Sequence, residues 1–200
     1  MADSLVIRSQ PLVVVVAGPN GAGKSTAAPR LLQDALAVDE FVNADAIAAG
    51  LSAFRPESVA MAAGRLMLAR IQKLGEARVD FAFETTLASR TFAPRLEALR
   101  ASGYRAHLAF LSLPSPALAV ARVGERVRAG GHQVLEPVVR RRFTAGLRNL
   151  LHLYLALVDT WQVFDNSALF APRLIAAQTP GEGNRILDPK AWANLVELSR

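Results

Sequence analysis

The chain has no cysteine, which excludes disulfides and thiolate metal sites and fits a reducing cytoplasm. Lysine is almost missing too, with three residues against twenty arginines. Aromatic residues make up only 6% of the sequence. That is thin material for a basic groove interleaved with stacking platforms, the usual way of holding single-stranded nucleic acid. No apolar run approaches the roughly 20 residues of a membrane span. The Val-rich stretch near the N-terminus is too short for a signal peptide and feeds straight into a glycine-rich turn, so it reads as a core strand. A DxxG segment and an NKxD-type guanine reader, which a GTP-driven switch needs, are both missing. So are internal repeats, low-complexity tracts and long linkers, and residues 1–200 are expected to form one domain.

What is present is specific. Leu12–Val13–Val14–Val15–Val16–Ala17 is a buried-strand run that leads into Gly18–Pro19–Asn20–Gly21–Ala22–Gly23–Lys24–Ser25–Thr26. This is the GxxxxGK[ST] pattern of a P-loop. Gly18, Gly21 and Gly23 permit backbone turns that a Cβ would oppose, so N–H groups from Asn20 through Thr26 can converge on phosphate oxygens. Lys24 is expected on the β- and γ-phosphates and the Ser25 hydroxyl on Mg²⁺. A nucleoside triphosphate is the expected ligand, with ATP and Mg²⁺ the cofactors.

The rest of the chain alternates strand and helix. Short strands are expected at Phe41–Asn43, Val79–Glu84, Arg105–Leu111, Trp161–Asp165 and Arg173–Ala176. Helices are expected at Lys24–Ala35 (loosened by Pro29), Pro56–Leu74, Phe92–Ser102, Ala117–Ala129 and Val138–Asp159, with a last one after Pro189. Met61, Leu66, Met67, Ile71 and Leu74 are offered as the buried side of the Pro56–Leu74 helix. Pro180–Asn184 reads as a flexible turn. The fold class is therefore α/β, a P-loop NTPase or kinase fold with a mainly parallel central sheet, helices on both faces and a helical lid.

Ligands of such sheets sit beyond the carboxyl ends of the strands. Two acids stand there. Asp45, in Asn43–Ala44–Asp45, is placed to take a proton from an acceptor hydroxyl or to support Mg²⁺, though an Asp there also suits a helix N-cap. Glu84, in Phe83–Glu84–Thr85–Thr86, is placed to orient Mg²⁺, water or a substrate hydroxyl; a solvated strand-end turn is the plainer alternative. Thr85 and Thr86 add hydroxyl donors.

The third group is basic. The net charge is +6, and the arginines are dispersed except between Arg122 and Arg148. That distribution favours a local anion site over a general nucleic-acid surface. Arg126, Arg128, Arg141 and Arg142 flank a Gly130–Gly131 hinge across residues 122–148, the pattern of a kinase lid that closes arginines over a triphosphate. A surface hairpin is the plainer alternative. His132 reads as a loop residue or a substrate contact, since His107 and His152 share no metal-ligand spacing with it.

Together with Arg126–His132, Arg140–Phe143 and Phe164–Asp165–Asn166–Ser167, these motifs run in order along nearly the whole chain. In that order the sequence resembles the zeta toxin family of P-loop kinases. The resemblance implies ATP-dependent phosphorylation of a hydroxyl on a UDP-activated amino sugar such as UDP-N-acetylglucosamine. It assigns Asp45 as base, Glu84 and Thr86 as sugar contacts, and Arg126 as a lid arginine. The second lid arginine stays open among Arg128, Arg141 and Arg142. The rival acceptors are an antibiotic, a sugar acid or a nucleotide, and a nucleic-acid-processing kinase or ATPase is the rival from another class. An antitoxin protein is the partner that the family adds.

Overall fold

The computed structural model describes residues 10–131, 133–168, 172–179 and 181–200. Seven strands form one sheet in the order β2-β3-β1-β4-β5-β6-β7. β1 (Leu12–Ala17) pairs in parallel with β3 (Phe81–Thr85) and β4 (Arg105–Ser112). β2 (Glu40–Val42) and β5 (Thr160–Asp165) extend the parallel part on either side. β6 (Arg173–Thr179) and β7 (Gly183–Ile186) close the sheet as an antiparallel edge. β1 is the most apolar strand because it is central: all six of its residues are buried.

The sheet sends alternate residues into two unequal cores. Val13, Val15, Phe81 and Phe83 join a large cluster under α3 (Ala60–Glu76), α4 (Ala93–Ala101), α5 (Pro116–Arg128), α6 (Glu136–Asn149) and α8 (Pro189–Leu198). Leu12, Val14, Val16 and Ala82 join a smaller one under α1 (Lys24–Pro29) and the turn after it. Pro29 cannot donate, and its ring crowds the carbonyl four residues back. The regular helix stops there, and Arg30–Ala35 continues as a wider π turn.

Three expectations need correction. Ala63, Met67, Ile71 and Leu74 form the buried seam of α3, whereas Met61 is 78% and Leu66 48% exposed. The helical period decides this, since Met61 lies across the helix from Ala63 and Leu66 a quarter-turn from Met67. The single helix expected over Val138–Asp159 is α6, a π turn at Leu150–Tyr154 and a short α7 (Leu155–Leu157), with β5 already begun at Thr160. Gly183 and Asn184, read as part of a turn, begin β7, an edge strand exposed throughout and so without an apolar signature. Pro180 lies outside the described residues. Among those residues, no helix is long and apolar enough to cross a membrane.

Candidate active site

Strand register brings the chemistry to one level. Val16 pairs with Glu84 and Ala17 with Thr85, while Val42 pairs with Phe83. Glu84 and Asn43 therefore emerge beside the first residue of the P-loop, whose Gly18 N–H donates to the Thr85 carbonyl at 3.3 Å. Gly21 and Gly23 both sit at φ 79°, the left-handed region. A Cβ on Gly21 would stand 2.8 Å from the Ala119 carbonyl oxygen, and one on Gly23 2.9 Å from Asn166 Nδ2. The loop is packed on both sides, so its shape is fixed by neighbours as well as by its own glycines.

Inside that loop Lys24 is only 6% exposed. Its Nζ donates to the Pro19 carbonyl at 3.0 Å and lies 3.6 Å from Glu84 Oε1. Glu84 Oε2 accepts from Ser25 Oγ and from Asn43 Nδ2, each at 2.8 Å. Burial pushes the Lys24 ammonium below its ordinary range; the charges of Glu84 and Asp45 pull it back up, and Arg126 adds to the depression. Four groups from four separate segments thus share one electrostatic field. Glu84 is not a solvated strand-end residue, because its carboxylate joins the P-loop lysine, the P-loop serine and Asn43.

Asn43 has a second task. Its Oδ1 accepts from Asp45 N at 2.7 Å and Ala46 N at 3.1 Å, which caps α2 (Ala44–Leu51). The capping role open to Asp45 therefore belongs to Asn43. The Asp45 carboxylate is left on the exposed first turn, within reach of Lys24's charge. Thr85 Oγ1 accepts from Leu87 N at 3.1 Å and Thr86 Oγ1 from Ala88 N at 3.4 Å. Each hydroxyl keeps its proton for another acceptor. α6 braces this loop: Asn149 Nδ2 donates to the Leu87 carbonyl at 2.7 Å, and Gly146 lies against the Thr86 carbonyl with no room for a Cβ.

The arginines divide. α5 ends in a Schellman turn, with Gly130 at φ 86° and Gly131 N–H donating to the Arg126 carbonyl at 2.9 Å. A Cβ on Gly131 would meet Arg126 Cγ at 2.6 Å, so the bare glycine is what lets the Arg126 stem lie along the turn. The expected hinge is thus also a seat for Arg126, whose charge reaches Lys24. Arg128 is exposed. On α6, Arg140 pairs with Glu136 at 2.8 Å, Arg141 is exposed, and Arg142 is half-buried. Arg142 stands one turn ahead of Gly146 and two ahead of Asn149, on the helix side that faces the Thr86–Leu87 loop. His132 lies outside the described residues.

The residues fit a magnesium nucleotide. Among the described residues no group of three or more His, Asp or Glu could hold a metal by itself. A divalent cation here would rest on the Ser25 hydroxyl, on Glu84 beside it and on the nucleotide's own oxygens, the usual division in P-loop enzymes. Sequence reading gave no role to Arg122 or Asn166. Both touch the segments that hold the P-loop, with Asn166 Nδ2 donating to the Ala22 carbonyl at 2.7 Å across 144 positions of sequence.

Comparison with known proteins matches the zeta toxin family model to residues 2–175. An uncharacterised protein of Haemophilus influenzae is 27% identical over 134 residues, covering 67% of this chain and 94% of that protein. A chain of the AvrRxo1-ORF1:AvrRxo1-ORF2 complex, solved with sulphate ions, superposes with a TM-score of 0.77 at 14% identity over 96% of this chain. This chain spans 65% of the length of that chain, and the complex has also been solved with ATP. The PezAT toxin–antitoxin system of Streptococcus pneumoniae gives a TM-score of 0.63 at 16% identity, covering 96% of this chain and 88% of that one.

Proposed function

The chain belongs to the zeta toxin family of ATP-dependent P-loop kinases, and from that premise we propose that it phosphorylates a hydroxyl of a UDP-activated N-acetyl amino sugar. The observation that carries the reading is the junction of Lys24, Ser25, Asn43 and Glu84, with Asp45 two residues beyond Asn43 and the charges of Asp45 and Arg126 both felt at Lys24. Backbone N–H groups of the P-loop and the Lys24 ammonium take the phosphate oxygens, and Arg126 offsets charge that develops during transfer. Mg²⁺, when bound, neutralises the β- and γ-phosphate oxygens. Asp45 accepts the acceptor's hydroxyl proton as its oxygen bonds to the γ-phosphorus and the bond to the ADP oxygen breaks. Glu84, tied to Ser25 and Lys24, supports the cation side of the site, and the Thr85 and Thr86 hydroxyls face the acceptor. A protein antitoxin is the partner class this reading brings, since the AvrRxo1 structure is a two-protein complex and PezAT is a toxin–antitoxin system.

The experiment is incubation with Mg²⁺-ATP and UDP-N-acetylglucosamine, with Lys24→Ala as control, followed by mass spectrometry. A phosphorylated sugar nucleotide made only by the wild-type chain is expected. Lys24-dependent phosphorylation of a different hydroxyl compound, with this sugar nucleotide untouched, would move the acceptor assignment elsewhere.

A further inference from the structure

Asn166 follows β5 directly and is 5% exposed. Its backbone N–H donates to the Ser112 carbonyl at 3.0 Å, so it is fixed to the end of β4. Its side chain then turns into the P-loop. Nδ2 donates to the Ala22 carbonyl at 2.7 Å and fills the space that a Cβ on Gly23 would need. From the other side α5 closes in. Gly21 packs on the Ala119 carbonyl and on Arg122 Cβ, leaving no room for a side chain. The Arg122 guanidinium makes a fork: Nη1 donates to the Asn166 carbonyl at 2.8 Å and Nη2 to the Ser167 carbonyl at 2.7 Å. A planar fork holding two successive carbonyls sets a loop in place in a way that a single ammonium does not.

We propose that Asn166 and Arg122 are positioning residues for ATP: together they clamp the P-loop in its phosphate-binding bend. The clamp joins the P-loop, the start of the loop after β5 and α5 as far as Arg122 into one body. Lid movement then begins beyond Arg122. Arg126, one turn further along the same side of α5, is carried by the part that moves. This inference rests on the nucleotide reading of the P-loop and is independent of which acceptor is phosphorylated.

The test is ATP binding, measured by titration calorimetry with Mg²⁺ present, beside the melting temperature without nucleotide. Asn166→Asp keeps the size of the side chain but sets an oxygen against the Ala22 carbonyl in place of a donor. It is expected to weaken ATP by about tenfold or more, the scale of one buried hydrogen bond turned repulsive. Arg122→Lys keeps the charge but loses the fork and is expected to weaken ATP by roughly three- to tenfold. Both should raise the KM for ATP while leaving the acceptor's KM within about twofold, a split that general loosening of the fold would not give. The double variant should be less than additive, because both residues act through one loop. Wild-type ATP affinity in both variants overturns the proposal, and so does equal weakening of ATP and acceptor. If Asn166→Asp does not fold, Arg122→Lys decides by the same criteria. Failure of the wild-type chain to bind ATP would instead refute the nucleotide reading itself.

Discussion

The phosphate cradle and the arginine arm meet around Lys24 but are built by opposite means. The cradle is made of strand ends in register, tightly packed glycines, short hydrogen bonds that tie Ser25 and Asn43 to Glu84, and a buried Lys24 held by the Pro19 carbonyl and paired with Glu84. The arm is an exposed stretch of helix whose arginine is seated by a glycine turn. A preorganised site can hold charge without reorganising, whereas a charge on an exposed arm has still to be ordered around its ligand. Damage to the cradle should therefore destroy function outright, and damage to the arm should scale with how directly each arginine reaches the phosphates.

The largest effect is expected from Lys24→Ala, which should leave no phosphoryl transfer above background in a radiolabelled-ATP assay while the chain remains folded by circular dichroism. Next comes Arg126→Ala, with kcat reduced on the order of 10²-fold and little change in ATP affinity. If this variant lost ATP binding as completely as Lys24→Ala, the arm would be part of the cradle and the contrast would fail. Gly131→Ala comes third, since its methyl would displace the Arg126 stem. A roughly three- to tenfold fall in kcat is expected, with a modest fall in melting temperature because the methyl also crowds the Arg126 carbonyl oxygen at 2.9 Å. The smallest effect belongs to Arg128→Ala, within about twofold of wild type in steady-state assays, as suits a solvated surface charge. A loss as large as that of Arg126→Ala would make Arg128 a second phosphate contact.

The same contrast explains what could be read in the sequence. The cradle was legible because its information is local: a buried strand, glycines at fixed spacing, and acids directly after strands. Parallel strands covered on both sides read as continuous apolar runs, so β1 stood out. The arm was legible as arginines around a glycine pair, but their spacing alone did not say which arginine faces Lys24. Arg126 and Arg128 are two residues apart and equally basic, yet the turn at Gly130 and the helix phase give them different surroundings. Asn43 shows how local reading misassigns a role. An N-cap stood as the plainer alternative at Asp45, but the side chain two residues earlier takes it and leaves the Asp45 carboxylate out of the cap. The Asn166–Ala22 contact had no local signature, because its partners meet only when β5 and β1 join one sheet. β7 was missed for the reverse reason: an exposed edge strand has no buried face to impose alternation.

The most direct test of the account joins two readings on one preparation of Asp45→Ala: calorimetric affinity for Mg²⁺-ATP and single-turnover transfer to UDP-N-acetylglucosamine. ATP affinity within about twofold of wild type is expected, with transfer slowed on the order of 10³-fold, the loss of a general base. Transfer at the wild-type rate, with ATP bound as before, would contradict it.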